Sequence, residues 1–246
     1  MCTASKFGKL IGIIGILPLM IGAGENNVGN VNFILGGAND VRILKTGQDQ
    51  WRPAHLYAPV TNGDQVQTQN ESRCEIKMID KSLIRIGENS NFTVTDIKQE
   101  NQRNTSLSWG KIWMNIKSLA QKETFYVKTP TAVCSIRGTI FRVDSDSTTR
   151  IAVYDGKVDV GPKSMLNDQN QAVQQPQTRS LKPVVIPGPH EIPPPFEVSL
   201  EQWVQIVKGY QIEIRADGKY AKTKIDTTVD SQLDWVKWNQ QRDQMN

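Results

Sequence analysis

Histidine is nearly missing from this chain: its 246 residues include only His55 and His190, and His190 lies in a proline-rich stretch. A catalytic triad or a typical zinc site would have to be built around His55 almost alone. HExxH, CxxC, GxSxG and a phosphate-cradling glycine loop are all absent from the sequence. Asp144 and Asp146 are a candidate Ca²⁺ pair, but one pair supplies too few oxygens, and the segment reads as a solvated turn between strands. The residues therefore point to no enzyme, no cofactor and no metal. No basic block and no aromatic-studded basic stripe is present either, which argues against a nucleic-acid partner. The formal net charge is +4, but without Lys6 and Lys9 the balance is 27 basic against 25 acidic residues.

Long apolar runs are equally scarce. The single example, Leu10 to Ala23, follows the basic pair Lys6 and Lys9 and is too short for a bilayer span of about 20 residues. Gly22, Ala23 and Gly24 supply small side chains, and Glu25-Asn26-Asn27 turns polar at once, so residues 1–24 read as a helical secretory signal peptide. An uncleaved signal anchor is the competing reading. Cys2 precedes the apolar run, where a bacterial lipoprotein cysteine would have to follow it. The expected location is periplasmic or extracellular, with no transmembrane segment in the mature chain. Of three cysteines, Cys2 leaves with the signal. Cys74 and Cys134 then stand in an oxidising space, either as two small buried thiols or as a bridge, and spacing does not decide between them.

What is abundant is alternation. Val31, Phe33 and Leu35 alternate; Val41 and Ile43 resume after a Gly36-Gly37 break. Cys74, Ile76 and Met78 face one way and Arg73, Glu75 and Lys77 the other, with Asp80-Lys81 turning the chain into Ser82 to Ile86. Phe92 and Val94, Ile112 to Ile116, and Phe125 and Val127 repeat the pattern. Short half-buried strands at this spacing predict an all-β sandwich, barrel or solenoid. Asp155-Gly156 predicts a two-residue hairpin loop that pairs Tyr154 with Lys157, Val153 with Val158 and Ile151 with Val160. Residues 162–196, rich in Gln, Asn, Ser and Pro, read as a loop or linker. Residues 197–225 read as a closing segment. There Ser199-Leu200-Glu201-Gln202 caps a short helix with Trp203, Ile206 and Val207, and an Asp217-Gly218 hairpin pairs Ile214 with Ala221 and Glu213 with Lys222. Residues 226–246 form a tail whose Leu233, Trp235, Val236 and Trp238 predict a short amphipathic helix packed on the body. Trp51 lies in a loop, and Trp109 and Trp113 flank Gly110. They are either core rings or an aromatic platform, with Trp51 and Trp113 as candidate ligand contacts.

Thr129-Pro130-Thr131-Ala132-Val133, followed by Arg137-Gly138-Thr139 and Phe141-Arg142-Val143, resembles the signature of the FecR domain family. Gly63-Asp64 with Val66 and Thr68 is similar to its opening element. Ser72 to Asp80, Ile84 to Ser90, Leu107 to Gly110 and Ile151 to Val160 follow in the family's order. The likeness covers residues 28–161, with a closing segment at 203–218. It implies a twisted β-solenoid or β-roll-like stack of short strands outside the cytoplasmic membrane. In the best-known members the domain is the periplasmic part of a regulator that relays an iron-uptake signal to a sigma factor. No cytoplasmic domain precedes the apolar segment here, so nothing is expected to hold a sigma factor. Cys74 and Cys134 stand where the family commonly has a small residue such as alanine. Gly138 suits a bulge or tight step, and Thr139 can satisfy a neighbouring backbone group. Arg137 packs its stem, pairs a carboxylate or contacts a ligand. The expected role is a non-enzymatic sensing or regulatory module that contacts another envelope protein. The alternative is a module that binds cell-wall or surface polysaccharide.

Overall fold

The alternating segments become strands, and they fall into two facing sheets joined by one shared strand. The computed structural model describes residues 27–99, 102–117, 123–163 and 198–245. The signal segment, His190 and nearly all of the 162–196 linker lie outside the described residues. Sheet I is built from β1 (Asn27–Leu35), β4 (Pro59–Thr61), β6 (Arg73–Met78), β7 (Leu83–Ile86), β12 (Ile140–Ser145), β13 (Thr148–Asp155), β15 (Val198–Ser199), β17 (Tyr210–Arg215) and β18 (Lys219–Lys224). Sheet II holds β2 (Val41–Leu44), β3 (Arg52–Pro53), β5 (Gln65–Thr68), β8 (Ser90–Gln99), β10 (Thr124–Lys128), β11 (Val133–Ile136), β14 (Lys157–Gly161) and β16 (Val204–Val207). The fourteen-residue β9 (Gln102–Asn115) belongs to both. Sheet I runs β4-β1-β6-β7-β9-β12-β13-β17-β18-β15, and sheet II runs β3-β2-β5-β8-β9-β10-β11-β14-β16. Every pairing is antiparallel except β9 with β10.

Apolar side chains of both sheets meet in a single core. Ile76, Ile112, Val143 and Val153 come from sheet I, and Val66, Phe92, Cys134 and Val158 from sheet II. The chain wraps this core in repeated steps. It runs from β5 in sheet II through β6 and β7 in sheet I back to β8, which pairs with β5. The same circuit recurs through β11, β12, β13 and β14. The structure is thus mostly β, and neither sheet closes on itself. The four outermost strands are only two to four residues long, which limits the unpaired backbone each edge presents.

Among the described residues, nine passages between the sheets turn on one residue in the left-handed region, whereas the passage from β15 to β16 has none. The nine residues are Gly36, Tyr57, Gly63, Glu71, Asn89, Gly110, Gly138, Gly156 and Gly209. The Asp155-Gly156 step is one such passage rather than a hairpin. Val153 pairs with Phe141 in sheet I, whereas Val158 pairs with Ile136 and Ile206 in sheet II. Both valines are fully buried, because strands approaching one core from opposite sheets show the same apolar pattern as partners in a hairpin.

Three other expectations change. The helix expected directly after Ser199 is not formed: Val204–Val207 is strand β16, in which Ile206 is buried between exposed Gln205 and Val207, a period-two pattern favoured by β-branched residues. The β17–β18 hairpin forms one residue out of the expected register, with Ile214 opposite Tyr220 and Glu213 opposite Ala221. Gly218, at φ +80°, adds a left-handed residue to the loop. In β1 a bulge between Val31 and Phe33 puts Ile34 opposite Cys74 and sends Phe33 to the outer face opposite Glu75.

Gly110 should be the least replaceable of the crossing glycines. A Cβ there would sit 2.4 Å from the Ser90 Cα and 2.2 Å from its Oγ. Gly110→Ala is expected to lower stability by about 3 kcal/mol. Gly218→Ala, with a similar φ but nothing within 4 Å, should cost about 1 kcal/mol. Urea unfolding of the two variants checks the difference.

Candidate functional site

The outer face of sheet I carries side chains that strand alternation alone would leave in water. Cross-strand pairing aligns Glu75 of β6, Arg85 of β7, Trp113 of β9 and Arg142 of β12 in one row. All four are buried, Glu75 and Arg85 completely. They are covered by two helices at the end of the chain, α1 (Thr227–Asp230) and α2 (Asp234–Gln244).

Helical spacing explains the fit. Trp235, Trp238, Asn239, Arg242 and Asp243 recur at three- and four-residue intervals and share one face of α2. The packed side of its first turn is apolar: Trp235 and Val236 cluster with Trp113, flanked by Ile140, Tyr154 and Trp238. Its last turns are polar. Asp243 accepts from Arg85 Nη1 at 2.8 Å, Trp113 Nε1 at 2.9 Å and Asn115 Nδ2 at 3.1 Å. Glu75 accepts from Arg85 Nε at 2.5 Å, Asn32 Nδ2 at 2.5 Å and Arg242 Nη2 at 3.2 Å. Arg242 also lies over the Phe33 ring at 4.2 Å, the ring that the β1 bulge turns outward. At the other end Asp230 of α1 accepts from Arg142 Nη1 and from the Tyr154 hydroxyl, each at 2.9 Å. Tyr154 in turn stacks on Trp113, with ring centroids 4.4 Å apart. Arg73 pairs with Asp234 and lies over Trp238 at 4.8 Å.

Burial pushes the Glu75 carboxyl up, but hydrogen bonds from Arg242, Arg85 and Asn32, together with the Arg85 charge, hold it below the ordinary carboxylate range. Burial lowers Arg142, yet Asp144, Tyr154 and Asp230 more than offset it. Burial drives Asp144 up against the pull of Arg142, Arg150 and Lys111. A cleft of about 390 Å³ opens beside α2, where Arg73, Lys111, Arg142 and Arg150 meet Glu88, Asp144 and Asp234. This face can hold charged and aromatic side chains of another segment. Among the described residues, no three His, Cys, Asp or Glu side chains are placed to hold a metal.

The residues singled out in the sequence lie mostly elsewhere and build corners. Asp64, fully buried beside Gly63, accepts from Thr61 N at 2.7 Å, Thr46 N at 3.0 Å and Lys45 Nζ at 2.8 Å. The Thr68 hydroxyl donates to the Gly87 carbonyl and accepts from Ser90 N. Thr139 donates to the Lys157 carbonyl at 2.9 Å, next to Gly138 and the Asp155-Gly156 corner. Phe141 is core. Arg137 is exposed and donates to Thr124 Oγ1 at 3.4 Å, a hydroxyl rather than a carboxylate. Of the two readings of Trp113, ligand ring or core ring, the structure places it as core, 1% exposed beneath α2. Trp51 is half-buried in the loop before β3 and does not join it. Cys74 and Cys134 are free, buried thiols in opposite sheets, not a bridge. Only Trp113 was common to the expected contacts and the buried row. Glu75, Arg85 and Arg142 looked like ordinary outward strand positions, and the spacing of Asn239, Arg242 and Asp243 behind Trp235 was the one available signal.

The FecR protein family matches the chain over residues 64–159. That stretch is a FecR domain. Two crystal structures of a "putative anti-sigma factor" from Parabacteroides distasonis ATCC 8503 are similar, at 14% identity and a TM-score of 0.47, covering 67% of this chain. The likeness spans 62% of that protein's chain. No curated protein matches. The FecR domain supplies the whole buried row, Glu75, Arg85, Trp113 and Arg142, whereas the helices that cover it lie outside the matched stretch.

Two outcomes follow from this geometry. A depressed carboxylate contributes stability that is complete above its unfolded pKa of about 4.3 and is lost as pH falls through its lower folded value. Tryptophan-detected stability should therefore hold from neutrality to about pH 5 and decline below about pH 4. Glu75→Gln should remove that acid limb and cost about 3 kcal/mol at neutral pH. Burial pushes both Cys74 and Cys134 up to about 12, Cys74 with help from Glu75. A thiol reagent at mildly alkaline pH should leave both untouched in the native protein and modify both after denaturation without reductant; a bridge would leave neither to react.

Proposed function

We propose that the chain is a non-enzymatic, exported FecR-domain protein that acts as a periplasmic protein-interaction module with a sensing or regulatory role, its partner being another envelope protein. The observation that carries this reading is the docking of α1 and α2, from outside the matched stretch, on a face of the FecR domain through charge-assisted contacts. Such a face recognises a helix by complementary charge and an aromatic anchor, the mode by which amphipathic helices are bound in grooves. Its contacts favour specificity over strength, because buried ion pairs gain little net energy against desolvation. A partner offering the same chemistry can therefore compete with the chain's own helix. Export is supported by the signal-like residues 1–24, and the non-enzymatic reading by the shortage of histidine and of catalytic motifs.

Photo-crosslinking in intact cells tests this. A photoreactive residue at Leu233 or Trp109, both exposed, is expected to capture one envelope protein. Asp243→Ala, which loosens α2, should change the yield several-fold. No adduct at either position, or a yield indifferent to Asp243→Ala, would count against the reading. Retention on peptidoglycan or surface polysaccharide instead would favour the glycan alternative.

A further inference from the structure

At the β1–β4 end of sheet I, two tight turns push large apolar side chains into water. Leu56 and Tyr57 form the tip of one turn, 53% and 76% exposed, and Ile79 forms the tip of the other, 70% exposed. Both turns are built to hold those side chains out. Tyr57 and Lys81 occupy the left-handed region at φ 64° and 68°, a conformation costing about 1–2 kcal/mol for a non-glycine residue. Backbone bonds lock them there: Tyr57 N donates to the Val31 carbonyl at 2.8 Å, Ile79 N to the Val28 carbonyl at 3.1 Å and Lys81 N to the Met78 carbonyl at 2.9 Å. Tyr57 and Ile79 border one shallow depression together with Lys77 and Lys81. Neither lysine faces a carboxylate within 4 Å among the described residues, and Asp80, the acid between Ile79 and Lys81, is committed to Arg103.

Exposed aliphatic and tyrosine tips ringed by unpaired lysines match the interface of a bilayer that carries negative headgroups. Chain connectivity supports the same occupant. In the reading of residues 1–24 as an uncleaved signal anchor, the apolar stretch ends at Ala23, four positions before β1 begins at Asn27, and tethers this end of the molecule to the bilayer. Val28, which binds Ile79, is the second residue of that strand. We propose that this end of the molecule is a membrane-facing foot, with Leu56, Tyr57 and Ile79 entering the headgroup layer and Lys77 and Lys81 contacting anionic phospholipid.

The test uses the chain as recovered from cells, with Cys2→Ser and a polarity-sensitive fluorophore on Ile79→Cys. A second labelled protein carries it on Thr223→Cys, at the far edge of sheet I. The Ile79→Cys label should shift to the blue and brighten on vesicles of equal parts phosphatidylglycerol and phosphatidylcholine, but not on phosphatidylcholine alone. The Thr223→Cys label should stay as in water. Lys77→Gln and Lys81→Gln should each lower the docked-to-free ratio by about fivefold. An unchanged spectrum, an equal response on both lipids or an equal response at Thr223→Cys overturns the proposal. So does a shift without vesicles that grows with protein concentration, which would instead mark contact with a second copy of the chain.

Discussion

The molecule depends on a constraint at its corners: the chain must change sheets without lengthening its loops. A residue in the left-handed region redirects the backbone within one step, which lets strands of four to six residues sit directly against each crossing. Glycine serves at most crossings because it has no Cβ to clash, and at Gly110 the neighbouring Ser90 backbone leaves no room for one. Tyr57, Glu71 and Asn89 occupy the same conformation at three further passages. Because β9 passes from sheet II to sheet I at such a point, the two sheets are covalently in register and their apolar faces meet as one core.

A core of this kind leaves the opposite face of each sheet to be solved separately. On sheet I the solution is polar. Glu75 and Arg85 give up hydration completely, a loss that is offset only if every lone pair and proton finds a partner in the dry interior. Asn32, Arg242, Asn239 and Asp243 supply most of those partners. Remove the helix and two opposite charges remain on an open sheet, each easily hydrated. The buried row is therefore a property of the covered state, and the contact is selective about what may replace the cover.

Period-two alternation located the strands well, because a side chain's face follows from its parity once one neighbour is known to be inside. The same rule failed wherever a single residue altered parity or destination. The bulge in β1 moved Phe33 outward and Ile34 inward, and the turn at Gly218 slid its hairpin by one residue. At Asp155-Gly156 the sequence signal for a left-handed glycine was sound. What it could not tell was whether the turn joined neighbours in one sheet or carried the chain to the other. At Val204–Val207 a capping pattern competed with β-branched residues, and pairing with β14 decided for strand. The candidate site was legible only through Trp113 and the amphipathic tail. Its charged members came from strands and a helix more than 150 residues apart, such as Arg85 and Asp243.

By itself the sequence determined the β character of the body, the helix at its end, the positions of the corner glycines and the FecR likeness, since all of these follow from local spacing and backbone preference. Only the tertiary structure decided which strands pair, which sheet each one joins, and that Glu75, Arg85 and Arg142 lie buried under α1 and α2. Those outcomes rest on contacts between distant segments, where the free energy of a charge depends on what covers it and not on its neighbours in the chain.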